Sequence, residues 1–313
     1  MSWKVHLIIL SLTLFFFLTE SIQNNNNIPR NQEFHRQLLV NSSQSEPAIY
    51  LCAIIKKEDL YIEEWVNYNL LIGFEQIHIY DNNDYDTEEP DSSLGNVTRS
   101  LPLKYPGKVF VYSFPGHKPR PLISAFMEFA FKFINEDIYA AFFDIDEFLV
   151  MNNHACIRSL LNQVAFHGRK SIGINWYPFG SNNHEEYNNQ LVVQRFTKRT
   201  IKSNVYIKNI IYLPDIGEFY NAHHVRLRNS KVIYDIYNNT LYNGMSVNRN
   251  ITEVRLHHYI IKSTNEYHEK MKRGESAPIV RTMDLFYKLN KDSVIYDDTA
   301  WKITQLQNTS VCV

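Results

Sequence analysis

Two aspartates follow an apolar, β-rich run in the middle of the chain, spaced so that both could hold one cation. The run Tyr139–Phe143 leads directly into Asp144-Ile145-Asp146. Carboxylates at i and i+2 share one face of a strand, and in the turn after a strand both can converge on one ion. Such oxygen ligands suit Mg²⁺ or Mn²⁺, which often take substrate phosphates as further ligands. A solvated turn after a core strand is the alternative interpretation.

The residues before this run predict a β-α-β unit. Ala48–Ile55 is a continuous apolar segment, as a buried parallel strand would be. Apolar residues then recur with a period of about 3.6 over Leu60–Leu71, which predicts a helix with Asp59 as its N-cap and Gly73 at its end. A second strand is predicted over Gln76–Tyr80. This order of elements is typical of an α/β fold with a partly parallel sheet.

Acidic residues end two of the predicted strands. Asp81 directly follows the second strand, in an acidic, amide-rich loop. A third strand is predicted over Val109–Phe114 and a helix with an aromatic face over Leu122–Ile134, before the strand that leads to Asp144. Because ligands of open α/β sheets bind at the carboxyl ends of the strands, we expect Asp81 and the Asp144/Asp146 pair to border one site.

Beyond Met151 the pattern is more mixed. It predicts a helix over Cys156–Phe166 and a charged helix that runs through about Arg273. The predicted short strands are Ser171–Trp176, Leu191–Phe196 and Lys208–Leu213. Two histidine pairs lie in this part of the chain, His223-His224 and His257-His258.

Length and charge restrict the function classes. A chain of 313 residues can form one large α/β domain or two modest ones, and its 44% of hydrophobic residues can supply a core. The formal net charge is −1 without a sustained basic run, so nucleic acid is not expected as a partner, because neutralising its phosphates needs clustered Lys and Arg.

Cys52, Cys156 and Cys312 form no disulfide framework or zinc pattern. One pair could form in an oxidising compartment, with Cys312 expected to be free.

The N-terminus differs from the rest of the chain. Lys4 precedes the 14-residue apolar segment Val5–Leu18, which is shorter than a membrane span of ~20 residues and suits the hydrophobic region of a signal peptide. Residues 1–22 are therefore either a cleaved signal peptide or a short signal anchor. Residues 23–46 are polar and Asn-rich and predict a stem or linker, which leaves 47–313 as the folded domain.

We expect entry into the secretory pathway, and five asparagines stand in N-glycosylation sequons: Asn41, Asn96, Asn238, Asn250 and Asn308.

A series of motifs in a fixed order extends over about residues 49–274. It includes Glu58, Glu63-Glu64-Trp65, Ile79-Tyr80-Asp81-Asn82, Phe143-Asp144-Ile145-Asp146-Glu147-Phe148, Phe179-Gly180-Ser181, Lys208, His223-His224 and His258-Tyr259 ahead of Lys262. The series resembles glycosyltransferase family 92 and its bacterial and viral relatives, which are similar to family 2 enzymes of the GT-A fold. The chain departs from the usual family pattern at Lys57, where Asn is common, and at Asn183, where Gly is usual.

This resemblance implies a GT-A fold, a Rossmann-like α/β domain with a mixed sheet flanked by helices. It also implies transfer of a hexose such as galactose from a nucleotide-sugar, with UDP as the expected nucleotide, to a glycan or glycoconjugate with inversion. Charge develops on the leaving diphosphate, so a cation is needed there, and Mn²⁺ or Mg²⁺ is expected. By the resemblance, Asp146 is the first metal ligand, Asp144 binds the metal or the ribose, and His258 completes the coordination.

Other residues are assigned to the expected substrate site. Glu58, Asp81 and Lys262 are candidates for binding the nucleotide-sugar, with Lys262 against the diphosphate. The candidate bases for the acceptor hydroxyl follow the Gly180 loop: His184, Glu185 and Glu186. Two aromatic residues before that loop, Trp176 and Tyr177, could stack on an acceptor sugar or pack in the core. His257 is expected to face away, and Glu147 to be a carboxylate near the metal or acceptor, or a helix cap.

Two other functions fit parts of the pattern. A secreted or lumenal glycan-binding protein without turnover would keep an aromatic surface, but it would have no need for Asp144, Asp146 and His258 together. A metal-dependent phosphohydrolase would need further Asp or His ligands near Asp144 for a two-metal site. We therefore expect an enzyme with a lumenal catalytic domain in the Golgi or endoplasmic reticulum, held as a type II membrane protein, or a secreted one.

Overall fold

The computed structural model describes residues 46–83, 95–115, 120–154, 156–273 and 281–306. The predicted signal segment, the stem through residue 45, Cys312 and the sequons at Asn41 and Asn308 lie outside these ranges. Cys156 is disulfide-bonded, whereas Cys52 is a free, buried thiol. Within the described ranges, no helix is long and apolar enough to cross a membrane.

Strands and helices alternate in the first half of the domain, and strands dominate the second. The strands are β1 (Ala48–Ile55), β2 (Gln76–Asp81), β3 (Val109–Ser113), β4 (Ile138–Phe142), β5 (Glu147–Met151), β6 (Ser171–Pro178), β7 (Lys198–Thr200), β8 (Ile207–Tyr212), β9 (Ile216–Phe219), β10 (Val225–Leu227), β11 (Ile233–Tyr234), β12 (Thr240–Leu241), β13 (Val254–His258) and β14 (Ser293–Tyr296). The helices are α1 (Ile62–Leu71), α2 (Asn96–Lys104), α3 (Pro121–Phe133), α4 (Ile157–Phe166), α5 (Val192–Arg195), α6 (Thr264–Arg273), α7 (Met283–Asp292) and α8 (Thr299–Thr304).

The first four strands form the parallel half of a mixed sheet. β1 pairs in parallel with β2 on one side and with β4 on the other, and β3 continues the sheet beyond β2. β8 lies antiparallel between β4 and β6, so the sheet order is β12-β11-β6-β8-β4-β1-β2-β3. A shorter ladder joins β13 to β5 antiparallel and to β6 in parallel. The prediction of an α/β domain with a mixed sheet and flanking helices is confirmed.

Helices cover both faces of this sheet because its central strands are apolar on both faces. All five residues of β4 are buried. Alternate residues of β1 join two different clusters, one with Trp65 of α1 and the other with Phe126 and Phe129 of α3. Burying each of these phenylalanines contributes about 1.5–3 kcal/mol. Trp65 Nε1 also donates to Glu147 O over 2.9 Å, so α1 fixes the start of β5.

Two local predictions are wrong because partners distant in the chain decide the structure. Asp59 does not cap α1; its Oδ1 accepts from Thr98 Oγ1 over 2.7 Å and from the Thr98 amide over 3.3 Å, at the start of α2. The predicted strand over residues 191–196 is instead the short helix α5. Its first amides, those of Val192 and Val193, donate to the Glu64 carboxylate over 2.8 and 3.1 Å, which stabilises a helix N-terminus.

The other predicted elements form close to their expected bounds. β6 extends two residues beyond Trp176 to Pro178, and α6 ends at Arg273 as expected. Gly73 follows α1 with a φ of 102°, a left-handed value that suits glycine after a helix. Glu147 begins β5, so its interpretation as a helix cap is wrong.

Candidate metal and substrate site

The ends of β4 and β13 bring a carboxylate and an imidazole together. Asp146 lies in the turn between β4 and β5. In the β13–β5 ladder His258 stands opposite Glu147, and the Tyr259 amide donates to Asp146 O over 2.8 Å. This register leaves His258 Nε2 only 3.2 Å from Asp146 Oδ1.

The geometry of this pair fits two ligands of one divalent ion. Adjacent ligand atoms about 2.1 Å from an octahedral ion lie about 3 Å apart, close to the 3.2 Å between Asp146 Oδ1 and His258 Nε2. The described residues hold no group of three or more His, Cys, Asp or Glu side chains placed to bind a metal. The pair could therefore supply two ligands, with substrate or water at the remaining positions.

Lys270 of α6 binds the other oxygen of Asp146. Its Nζ lies 2.5 Å from Asp146 Oδ2 and 3.0 Å from Ile260 O. Burial raises the pKa of Asp146, but the charges of Lys270 and His258 outweigh burial and hold that pKa well below its ordinary value. Burial lowers the pKa of Lys270 to about 8, although Asp146 opposes this shift. Asp146 is therefore ionised; its Oδ2 accepts a hydrogen bond from Lys270, and its Oδ1 faces His258.

His258 has an unsatisfied nitrogen on the opposite side of its ring. Its Nδ1 is buried without a hydrogen-bond partner among the described residues, and so is Glu147 Oε1, which lies 3.6 Å away. A small shift would join these two atoms in a hydrogen bond. With a metal ion between Nε2 and Asp146 Oδ1, that bond would keep the proton on Nδ1 and leave the Nε2 lone pair to bind the ion.

Asp144 pairs with a buried lysine of β8. Lys208 Nζ lies 2.7 Å from Asp144 Oδ2 and 3.1 Å from Glu147 Oε2. Burial opposes ionisation of Asp144, but Lys208 outweighs it and the pKa of Asp144 is lowered. Burial dominates at Glu147 and raises its pKa to about 7 despite Lys208. Since 36% of its side chain is exposed, Asp144 presents an accessible anion beside Asp146.

A cavity of about 500 Å³ opens beside Lys270, and we call it the lysine cavity. Its basic residues are Lys57, Lys262, Lys270, Lys272 and Arg273. Lys262 is 5% exposed and sets its Nζ 4.1 Å from the centre of the Tyr61 ring. Glu58 also lines the cavity and pairs with Arg273. Three residues outside the aspartate motif are predicted to bind the nucleotide-sugar, and two of them, Glu58 and Lys262, line this cavity.

Asp81 lies at the end of β2, on the same edge of the sheet as the end of β4. β1 separates β2 from β4, so two strand spacings, roughly 10 Å across the sheet, separate the lines of these two strands. The Asp81 Oδ1 atom accepts from the Asn83 amide over 3.1 Å and from Asn83 Nδ2 over 2.7 Å. Asn83 therefore orients a carboxylate that is only 3% exposed.

The three base candidates lie in the loop between β6 and α5. His184 packs against Phe196, with ring centres 5.6 Å apart. Glu185 and Glu186 are exposed, and Glu186 Oε2 accepts from Asn265 Nδ2 over 2.6 Å. Glu186 lines the lysine cavity, which places it at the candidate site.

Trp176 and Tyr177 are buried, so neither offers an open face to a sugar. Tyr177 is fully buried and donates through Oη to Ile251 O over 3.0 Å. Trp176 is 7% exposed, and its ring centre lies 4.7 Å from that of His258 at 68°. The core interpretation is confirmed for both residues, and Trp176 supports the ring of the candidate ligand.

His257 faces away from the site, as expected for the neighbour of His258 in a strand. It is fully buried, and its Nε2 lies 3.4 Å from Asp297 Oδ2. Arg255 Nη2 binds the same carboxylate over 2.9 Å. Burial lowers the pKa of His257 to about 4, so this cluster is structural.

Sequence reasoning assigned no role to His223, which lies beside the Asp144–Lys208 pair. Its Nδ1 is 2.9 Å from Ile207 O; a carbonyl can only accept, so Nδ1 carries the proton and the Nε2 lone pair is available. The ring stacks on Tyr206, with centres 5.0 Å apart, and on Trp176 at 6.5 Å. Burial, together with the charge of Lys208, lowers the pKa of His223 to about 4. The imidazole is therefore neutral at pH 7.

Lys208 and Lys270 were also missed as residues that contact the two aspartates. Lys208 carried a usable signal, because a lysine in the apolar strand β8 needs a buried partner. Lys270 belongs to the charged helix α6, whose sequence does not distinguish it from the exposed Lys272.

No protein-family model matches this sequence, and no curated protein matches it. What indicates a function is the arrangement of side chains at the sheet edge. That arrangement brings Asp146 to His258, Asp144 to Lys208, and Glu58, Glu186 and Lys262 to one cavity.

Proposed function

We propose that this protein is a metal-dependent glycosyltransferase with a GT-A fold. The observation that carries the proposal is the Asp146–His258 pair, with 3.2 Å between Oδ1 and Nε2, beside the lysine cavity. A carboxylate and an imidazole suit Mn²⁺ or Mg²⁺, and lysines and divalent ions both attract a diphosphate. A nucleotide-sugar carries this group, and we propose a UDP-hexose, such as UDP-galactose, as the donor.

In this proposal the donor lies along the carboxyl edge of the sheet. A bound divalent ion would neutralise charge that develops on the leaving diphosphate. Lys262 and Lys270 add positive charge in the lysine cavity, while Glu58 and Asp81 accept hydrogen bonds from the nucleoside. Asp144, with 36% of its side chain exposed, can bind either the ion or the ribose.

Transfer needs a proton acceptor for the hydroxyl of the glycan. The hydroxyl oxygen bonds to the anomeric carbon, the bond from that carbon to the phosphate oxygen breaks, and UDP leaves with the electron pair. The proton passes to the base. His223 Nε2 has a suitable tautomer and is neutral at pH 7, and Glu186 borders the lysine cavity. Attack opposite the diphosphate gives inversion, as the family resemblance implies.

A glycan-binding protein without turnover is the second candidate. The observation that favours it is that both aspartates already have lysine partners, Asp144 with Lys208 at 2.7 Å and Asp146 with Lys270 at 2.5 Å. In such a protein these pairs would be purely structural, and UDP would not bind. Both functions agree with a lumenal or secreted domain behind the apolar segment of residues 1–22.

The proposal is tested by incubating purified protein with several UDP-hexoses and measuring UDP release with Mn²⁺, with Mg²⁺ and with a chelator. We expect metal-dependent release from at least one of them. Asp146→Ala should abolish release and keep the circular dichroism spectrum unchanged. Asp284→Ala, which removes an exposed carboxylate of α7, is the matched control. Full activity of the Asp146 variant in chelator would exclude the metal assignment.

A further inference from the structure

A second cavity, of about 870 Å³, has His223 in its wall. It is formed by Ile207 and by residues between 217 and 244, and we call it the histidine cleft. His223 Nδ1 binds the carbonyl of Ile207, the residue before Lys208, and Lys208 in turn holds Asp144. The histidine cleft therefore adjoins the candidate transfer site.

The wall of the histidine cleft carries positive charge. Arg226, Arg228 and Lys231 line it, and none of the described residues that line it is Asp or Glu. Arg228 is exposed and has no ion-pair partner within the described ranges. Arg226 Nη2 lies 3.2 Å from Glu218 and Lys231 Nζ 2.6 Å from Asp215, yet the two cationic side chains remain 63% and 46% exposed. Since the whole chain has a net charge of −1, this concentration of cations favours an anionic ligand.

Aromatic rings stand open in and beside the same wall. Tyr220 is 40% exposed and Tyr242 is 70% exposed, and both line the cleft. Tyr206, which is 42% exposed, stacks on His223. An exposed tyrosine offers a flat apolar ring with a polar end, which suits the C–H face of a sugar whose hydroxyls remain in water.

The backbone around the cleft is held in an unusual conformation. Asn229, Ser230 and Asn243 have φ values of 55°, 54° and 53°, in the left-handed region. Gly244 has a φ of 72° and packs against the backbone of His223, so a Cβ atom at this position would lie 2.5 Å from His223 O. Such conformations cost free energy and persist where surrounding contacts enforce them, so the shape of the cleft is built in.

We propose that the histidine cleft binds a saccharide that carries an anionic group, either a uronic acid carboxylate or a sulfate ester. The anion pairs with Arg228 and Lys231 through charge-assisted hydrogen bonds, and a sugar ring packs on Tyr220 or Tyr242. A hydroxyl of the inner sugar then reaches His223 Nε2. As an acceptor site the cleft rests on the proposed function, but as a saccharide-binding site it does not.

The diphosphate of a nucleotide is the competing anion. We assign the diphosphate to the lysine cavity, because that cavity contains Lys270, which binds Asp146. The histidine cleft borders the candidate site only through His223. The two cavities share no lining residue. The donor and the acidic saccharide can therefore bind at the same time.

The test is calorimetric titration of the full-length protein with three disaccharides of one linkage: a neutral one, one that ends in a uronic acid, and one that carries a sulfate. We expect at least one acidic disaccharide to bind about tenfold or more tightly than the neutral one. The preferred acid identifies the anion. The variant Arg228→Gln/Lys231→Gln should lose about tenfold or more in affinity for that disaccharide and keep its affinity for UDP. Lys288→Gln, which removes an exposed cation outside the cleft, should bind as the unmodified protein does.

Three results would overturn the inference. One is equal affinity for acidic and neutral disaccharides, and another is no binding of any of them. The third is competition between UDP and the acidic disaccharide together with weaker UDP binding by the Arg228/Lys231 variant, which would make the cleft the nucleotide site. Tight binding of an acidic disaccharide by a protein that does not bind UDP would sustain this inference and refute the transferase proposal.

Discussion

His258 Nε2 lies 3.2 Å from Asp146 Oδ1, although the two residues belong to distant parts of the chain. The β13–β5 ladder sets this distance, because it places His258 opposite Glu147, the residue after Asp146. A shift of one residue would present His257 instead, since neighbouring side chains of a strand point to opposite faces. The candidate metal site therefore depends on the register of one short ladder.

The buried charge of Lys208 should be essential for stability. Lys208→Met leaves the buried Glu147 and the adjacent Asp144 without their cation, and removing one partner of a buried ion pair typically costs about 3–5 kcal/mol. We expect a decrease of about 3 kcal/mol or more in the free energy of unfolding, measured by urea denaturation. Lys288→Met, at an exposed pair on α7, should change it little. Equal stability of the two variants would refute this account of Lys208.

His78 should make the protein less stable in acid. It is 1% exposed, stacks on Phe110 with ring centres 5.0 Å apart, and contacts Tyr112 Oη over 2.9 Å. Burial, together with the charge of Lys132, lowers its pKa to about 3. In the unfolded chain the pKa is about 6.5, so between these values the unfolded state binds more protons and the free energy of unfolding falls as the pH falls.

The variant His78→Phe isolates this effect. Between pH 6 and pH 4 its stability should fall less steeply than that of the unmodified protein, by up to about 1.4 kcal/mol per pH unit. Urea denaturation at several pH values measures both slopes. Parallel curves would show that His78 does not titrate in this way.

The turnover of two variants should distinguish His223 from Glu186 as the base. His223→Gln removes the imidazole that is stacked between Trp176 and Tyr206, and it should lower kcat by about 10²–10⁴-fold, the usual contribution of a general base. UDP affinity should remain unchanged, because His223 lies outside the lysine cavity. Glu186→Gln is the comparison variant. A large loss of kcat in that variant with none in His223→Gln would assign the base to the loop after β6.

Expression in a secretory host should produce a glycosylated protein. The sequon asparagines within the described ranges, Asn96, Asn238 and Asn250, are all exposed, so a glycan can be attached without burying it. Digestion with an N-glycosidase should lower the apparent mass by at least one glycan. An unglycosylated product that stays in the cytosol would contradict the predicted route.

Local sequence pattern was sufficient for much of the framework. The apolar runs of β1 and β4 predicted buried strands. The position of Asp81 at the end of β2 and of Asp144 after β4 predicted a shared edge, because parallel strands end on the same side. The spacing of Asp144 and Asp146 predicted a cation site, whereas the role of His258 came from the family resemblance. The approach of His258 Nε2 to within 3.2 Å of Asp146 Oδ1 is the structural finding.

Contacts between distant segments could not be predicted. Asp59 looks like a helix cap but binds Thr98, and residues 192–195 look like a strand but form a helix on the Glu64 carboxylate. In each case a hydrogen bond to a distant residue outweighs a local preference worth about 2 kcal/mol at most. The role of His223 could not be assigned for the same reason, since its tautomer is set by the Ile207 carbonyl.

Calorimetric titration of UDP against the purified protein, with Mn²⁺ and with a chelator, tests whether Asp146 and His258 hold a metal ion that binds the donor. We expect binding that weakens about tenfold or more when Mn²⁺ is removed, and an equal loss with Mn²⁺ present in Asp146→Asn. Asp284→Asn, an exposed site on α7, should bind as the unmodified protein does. Metal-independent UDP binding, unchanged in the Asp146 variant, would contradict the metal site, and no UDP binding even with Mn²⁺ would contradict the transferase itself.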